Sequence, residues 1–352
     1  MNQLGNPEML IVARESRGLT QSQLASKASI PQSSISKFEN GILELTGERL
    51  AKIAAALDYP VHFFFRSEQI YGFRSPCFYH RKRVSLPIHK LKEIQARMNV
   101  LRFQAMAILQ GIEIETAIGF QRLDIDDYGP PDRIAALVRA NWHLPLGPVR
   151  NLVHAVEAAG GLVVRASLGT RKLDAVSHWA VGQRPLFFLN DDLPDERLRF
   201  TLAHEIGHVV MHATTTPDQE EEADRFAAEF LMPAEEVRPD LHDLTLARAR
   251  ELKPYWRVSM AAIIKRAYDL DQITYRQYRR LFTQLSQLGY RTNEPGQLPR
   301  EEPSILNEAI NVHLNDHGYS VSELARSAGV HEREFRTLFL PEERQRLTLV
   351  SA

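Results

Sequence analysis

Apolar residues recur at helical spacing through the first part of the chain. Met9-Leu10-Ile11-Val12-Ala13, Leu24-Ala25-Ala28, Ile35-Phe38 and Leu50-Ile53-Ala54-Leu57 each fit one face of a short helix. Thr20 before Gln21, Pro31 before Gln32 and Thr46 before Glu48 are residues that start helices. Residues 4–65 therefore read as a string of short helices. Residues 66–86 are irregular and basic. The pattern predicts one long helix over 87–120, through Ile88, Leu91, Ile94, Met98, Leu101, Met106, Ile108 and Leu109. Gly129-Pro130-Pro131 then breaks it and marks a domain boundary.

Beyond that point the period changes. Arg133–Trp142 and Val149–Ala159 look helical. Gly160-Gly161 turns into the strand-like Leu162-Val163-Val164-Arg165-Ala166. Ala175–Val181 and Pro185–Asn190 also read as strands, and helices follow at 194–213, 219–232 and across about 245–288. Glu294-Pro295-Gly296 and Pro299–Pro303 mark a linker before a last helical stretch. The fold class is mainly α with a small α+β domain.

Composition narrows the class. At 352 residues, 44% hydrophobic and 25% charged, the chain has room for two or three globular domains. No apolar run approaches the roughly 20 residues that span a bilayer, and Asn2, Asn6, Glu8 and Arg14 interrupt any secretory signal at the start. The single cysteine, Cys77, excludes an internal disulfide and fits a cytoplasmic setting. It also leaves any metal site to His and carboxylate ligands. Net charge is −1, but Arg66–Arg102 holds nine Lys/Arg (Arg66, Arg74, Arg81, Lys82, Arg83, Lys90, Lys92, Arg97, Arg102) against Glu68 and Glu93. Such a stretch is a candidate phosphate contact or a solvated face.

Phe200-Thr201-Leu202-Ala203-His204-Glu205-Ile206-Gly207-His208 carries H-E-x-x-H. On a helix, His204 and His208 lie one turn apart on one face, so both imidazoles can reach one Zn2+. Glu205 follows the first of them and is the candidate catalytic base for the attacking water. A third ligand is needed. In Glu220-Glu221-Glu222-Ala223-Asp224, Glu220 and Asp224 share a face. Glu220 is the expected third ligand, with Glu222 as alternative, and Asp224 is the expected partner for a ligand imidazole N–H. Glu221 reads as a solvated helix-start acid. Oxyanion donors are left open among His178, Tyr255 and Tyr268. Gly182–Leu189 is the candidate edge strand for a substrate backbone, with Pro185 where a ladder donor can be missing; an internal strand with its apolar side chains in the core is the other reading.

Residues 10–57 suit a helix-turn-helix. Gln21–Ala28 would be its first helix, Ser29-Ile30-Pro31 the turn, and Gln32–Glu39 the recognition helix. Gln21, Gln32, Ser33, Ser34, Ser36 and Lys37 are the candidate DNA contacts, to bases or phosphates. This segment holds six Lys/Arg against four Glu, so affinity would draw on the basic stretch or on dimerisation.

Residues 10–65 resemble the XRE (Cro/repressor-like) helix-turn-helix, from Arg17-Gly18-Leu19-Thr20-Gln21 through Ile35-Ser36-Lys37-Phe38-Glu39-Asn40-Gly41. Ser29 stands where that family's turn usually has Gly, and a left-handed residue with a Cβ costs roughly 1 kcal/mol. Residues 130–240 resemble the ImmA/IrrE metallopeptidases, on Phe200–His208 and on Glu220–Pro233 with its Phe226-Ala227-Ala228-Glu229-Phe230-Leu231-Met232-Pro233. Trp256-Arg257-Val258-Ser259-Met260 and Gly289-Tyr290-Arg291 resemble the region that follows such a peptidase. The resemblance implies a five-helix DNA-binding domain at 1–65, a basic linker and long helix at 66–129, and a minimal zincin-like peptidase domain at 130–240. A helical extension at 241–295 and a helical C-terminal domain at 296–352 follow. Val321–Val330 onward looks like a second helix-turn-helix.

The expected function is a cytoplasmic DNA-binding regulator with a zinc-dependent endopeptidase. By resemblance it would cleave a specific repressor protein, or itself, after a stress or mobile-element signal. Its partners would be operator DNA, the protein substrate and a second copy of the chain, since single helix-turn-helix modules usually bind paired half-sites. The competing reading is a transcription factor whose peptidase-like domain senses metal or another ligand without turnover.

Overall fold

A computed structural model describes residues 4–72, 78–79, 86–116, 118–214 and 216–340. The first helices are α1 (Pro7–Ser16), α2 (Gln21–Ala28), α3 (Gln32–Glu39) and α4 (Gly47–Leu57), followed by a 3-10 turn at Val61–Phe65. Strand β1 (Phe78–Tyr79) and helices α5 (Ile88–Ile108), α6 (Ile125–Tyr128), α7 (Pro131–Asn141) and α8 (Leu152–Ala158) come next. Strands β2 (Leu162–Ala166), β3 (Ala175–His178) and β4 (Leu186–Asn190) precede α9 (Asp195–Met211) and α10 (Gln219–Leu231). The chain continues through α11 (Ala234–Leu241), α12 (Leu246–Trp256), α13 (Met260–Asp269) and α14 (Tyr275–Gln287). It closes with α15 (Ile305–Asn315), α16 (Val321–Ala328) and α17 (Glu332–Phe339). The structure is thus mainly helical with one small sheet.

These elements form two compact units. One contains residues 1–72, 85–113 and 304–352; the other contains 73–84 and 114–303. The second unit is therefore an insertion in the first. The long helix expected over 87–120 ends at Ile108, because Gly111 adopts a left-handed backbone (φ 79°) just beyond it. The single helical region expected from about 245 is three helices. Arg257 and Asp271, both at positive φ, lie in the breaks between them.

In the first unit, α2 and α3 form a helix-turn-helix. A Thr20–Gln23 capping box starts α2, and Ser29 ends it in the left-handed region at φ 53°. The motif is repeated three hundred residues later. A Ser320–Glu323 capping box starts α16, and Gly329 ends it at φ 76°. Leu24, Ala25 and Ala28 are buried in α2, and Leu324, Ala325 and Ala328 in α16. The offset continues past the turn: Ile30 and Val330 are buried, as are Ile35 and Phe335. The tail is fastened within this unit. Arg17 donates to both oxygens of Glu334 at 3.1 and 2.8 Å, and His313 Nε2 lies 2.8 Å from the Ile108 carbonyl.

Much of the basic stretch is absorbed here as well. Arg66 pairs with Glu68 and donates to the Ser327 carbonyl at 3.0 Å. Arg102 is buried against the Tyr71 and Phe103 rings. Lys90 and Arg97 share Glu93 at 2.8 and 3.0 Å. Arg74, Arg81, Lys82 and Arg83 lie outside the described residues.

In the second unit the strand order is β1-β3-β4-β2, with β1–β3 and β3–β4 antiparallel and β4–β2 parallel. This corrects the candidate edge strand. Leu186-Phe187-Phe188-Leu189-Asn190 is buried throughout and paired on both sides, as a continuous apolar run demands. Pro185 precedes the register, so its missing donor is no handicap; its carbonyl accepts from Leu162 at 2.8 Å. Helix α9 packs on this sheet and on α10. A Cβ at Gly207 would sit 3.1–3.2 Å from Phe226, so glycine sets how closely the two helices approach.

The segment after α14 is bound into this unit. The Glu294 carboxylate accepts from the first turn of α13 at Met260 and Ala261 (2.9 and 3.3 Å) and pairs with buried Lys253 at 3.0 Å. Glu301 does the same for α8, accepting from Leu152 and Val153 at 2.8 and 3.1 Å while pairing with Arg199.

Candidate functional site

Along the second half of α9 the buried polar residues are His204, Glu205 and His208, and His212 follows at the residue that caps the helix. All four are buried. Helix α10 starts alongside with Glu220, Glu222 and Asp224. The structure brings three donor groups together: one ligand atom each from His204, His208 and Glu220 lie within 4.8 Å of one another. His204 Nε2 and His208 Nε2 are 3.0 Å apart, and Glu220 oxygens lie 4.0 and 3.5 Å from them. Ligands at about 2.0–2.1 Å on a tetrahedral zinc are about 3.3–3.4 Å from each other. The observed separations bracket that value.

Hydrogen bonding on the outer side of the imidazoles fixes how the rings are turned. Asp224 Oδ1 is 2.8 Å from His204 Nδ1, which orients the ring with Nε2 toward His208 and Glu220. Glu222 Oε2 is 3.0 Å from His212 Nε2, which places the His212 proton there. His212 Nδ1 must then accept, and its neighbour at 3.0 Å is His208 Nδ1, which must donate. His208 Nε2 is thereby turned toward His204 and Glu220. Burial lowers His208 and His212 to about 4, keeping both neutral at pH 7. Two imidazole nitrogens and a carboxylate converge on one point, which is the donor set a divalent cation takes up once they are deprotonated.

Glu205 lies beside this cluster. Its carboxyl is buried and accepts from Ser177 Oγ of β3 at 2.5 Å. Burial, opposed by His204 and the Ser177 hydrogen bond, raises it to about 7. That is where a group that takes and returns a proton works best.

Of the other expected residues, Glu222 serves His212 instead of the cluster, and Glu221 is exposed as read. His178 is buried on the same strand as Ser177, while Tyr268 packs with Tyr275 and Tyr278. A cavity of about 1820 Å³ in this unit shares Asp224 with the site and is otherwise lined by groups such as Asp174, Arg197 and Arg266. Sequence reasoning missed His212 and Ser177. The four-residue step from His204 to His208 repeats to His212 and could have signalled it; nothing local marks Ser177.

In the helix-turn-helix, the buried pair Arg14–Glu39 (2.5 Å) anchors a chain of side chains toward the recognition helix. Gln21 donates to Glu39 at 2.8 Å, and Gln32 donates to Gln21 at 2.9 Å. Gln32, Ser33 and Lys37 are exposed, while Ser34 and Ser36 are half-buried. The first turn of α3 thus presents polar groups on an ordered base.

Residues 10–64 match the helix-turn-helix family, and residues 156–268 match the IrrE N-terminal-like domain family. Comparison with curated proteins found no match. No helix among the described residues is long and apolar enough to cross a membrane. The chain is a fusion of an XRE-type helix-turn-helix with an ImmA/IrrE-type peptidase domain.

Proposed function

We propose that this protein is a cytoplasmic DNA-binding regulator and a zinc-dependent endopeptidase. Its substrate is a specific regulatory protein, a repressor or the chain itself, cut in a stress or mobile-element response. The observation that carries the reading is the convergence of His204, His208 and Glu220 with the Glu205 carboxylate alongside. His204, His208 and Glu220 would hold the zinc, with Asp224, His212 and Glu222 orienting the imidazoles. Zinc bound there supplies a Lewis acid and an acidified water. Glu205 takes the proton of the attacking water on its carboxylate and returns it to the leaving amine. Ser177 orients that carboxylate through its hydroxyl. Gln21, Gln32, Ser33, Ser34, Ser36 and Lys37 face operator DNA, read by a homodimer on paired half-sites.

The test compares protein N-termini in the native host between wild type and Glu205→Gln, with and without stress. A new terminus present only in the wild type names the substrate. Identical termini under every condition, with metal bound and protein present, would establish the non-catalytic sensor instead.

A further inference from the structure

An endopeptidase must hold an extended backbone beside its base, and main-chain pairing with a strand edge does this for any sequence. Strand β3 carries Ser177, whose hydroxyl touches Glu205. One edge of β3 is taken by β4. The other edge is the one a substrate would need, and the chain itself is on it. Phe78–Tyr79 pairs there antiparallel, with Phe78 opposite His178 and Tyr79 opposite Ser177. Directly opposed residues in such a ladder have Cα atoms about 4.5–5.5 Å apart. The backbone of Tyr79 therefore passes across from the residue that contacts the catalytic base. Both of these elements belong to the same unit.

The occupant has the character of a ligand and not of a sheet member. It is two residues long, against five for β2 and β4. It follows Pro76 and precedes His80-Arg81-Lys82-Arg83, a composition unsuited to a continued strand. It is also far from β2–β4 in the chain, joining them across α5 to α8. Remove it and the outer edge of β3 becomes a row of unpaired backbone groups beside Glu205.

We propose that the outer edge of β3 is the seat for an extended, antiparallel peptide substrate, and that Phe78–Tyr79 occupies it as a built-in competitor. This rests on the peptidase reading above. The substrate class is then an unfolded or strand-forming segment, since a helix cannot pair with this edge. An incoming substrate has to displace the segment, so its apparent affinity is reduced by the fraction of time the edge is open. If the segment is docked nine-tenths of the time, that reduction is about tenfold.

The test uses the full chain loaded with zinc and a fluorescein-labelled synthetic peptide with the sequence of residues 73–84, Cys77 replaced by Ser. Binding is read by anisotropy in the Glu205→Gln background, where nothing is cut. The expected result is at least tenfold tighter binding to Tyr79→Pro than to the unaltered linker. A chain whose residues 73–84 are replaced by a Gly-Ser stretch of equal length should behave like Tyr79→Pro, which guards against a local folding defect. N-methylation of the peptide's Phe-Tyr amide should abolish the gain. Equal binding by all three proteins, or none by any, would overturn the proposal. Turnover of the same peptide with Glu205 intact separates the two readings. Tight binding without cleavage leaves the occupied edge standing and defeats the peptidase. Cleavage indifferent to the linker does the reverse.

Discussion

Ser29 and Gly329 hold the same place in two copies of one motif, and they make opposite predictions. Ser29 sits at φ 53° with a Cβ, a conformation that costs roughly 1 kcal/mol. Ser29→Gly should raise the stability of the DNA-binding unit by up to about 1 kcal/mol in urea unfolding, less whatever the more flexible unfolded chain takes back. Gly329→Ala should lower it by more, because the new Cβ would also meet Arg66 Nη1 at 2.7 Å and Phe63 at 3.2 Å. The strain at Ser29 was legible from the sequence, since the residue types of an XRE-type turn are local. The packing at Gly329 was not, because Arg66 and Phe63 arrive from far along the chain. At the metal centre, Asp224→Ala and His212→Ala should each weaken zinc binding by 10- to 100-fold in competition with a chelator, without removing a ligand. A loss of all binding in either would mean that the residue is itself a ligand.

At the level of elements, the sequence was most readable where one helix carried the whole signal. His204, Glu205 and His208 follow from a single motif, and Glu220 and Asp224 from the four-residue period of the next helix. What it left open was pairing between strands. An apolar strand looks the same at an edge or in the middle until its neighbours are known, so the sequence leaves both places open for β4 and does not mark β3 as the strand beside the site. The contact between α9 and α10 is where packing and chemistry meet, for it sets the distance from the imidazoles to Glu220. Gly207→Ala should cost about 1–3 kcal/mol by overpacking Phe226. It should also weaken zinc binding, because the donors would be pushed apart. Zinc affinity unchanged in a destabilised Gly207→Ala would show that the cluster adapts independently of this contact. For α3, replacing exposed Lys37 by Ala should weaken binding to all DNA sequences and flatten the salt dependence. Gln32→Ala should relax preference at one base pair by about 1–3 kcal/mol, measured on operators selected in vitro.

At the scale of the whole molecule, all three tryptophans, Trp142, Trp179 and Trp256, fall in the inserted unit. Their fluorescence therefore reports the peptidase unit alone. Zinc at a hundred times its Kd should stabilise that signal by about 2.7 kcal/mol, and a chelator should reverse it. A melting curve indifferent to zinc would mean that the cluster does not hold it in the folded state. The insertion has a further consequence, for the order in which a ribosome delivers the chain. The N-terminal helices and α5 emerge first, but α15, α16 and α17, which complete their unit, follow only after the roughly 190 residues of 114–303. At 5–20 residues per second that interval is about 10–40 s. When residue 303 has been made, the inserted unit is whole while the DNA-binding unit still lacks its last third, the 49 residues that take about 2.5–10 s more. Each newly made molecule thus holds the whole unit that carries His204, His208 and Glu220 before the unit that carries the helix-turn-helix is complete.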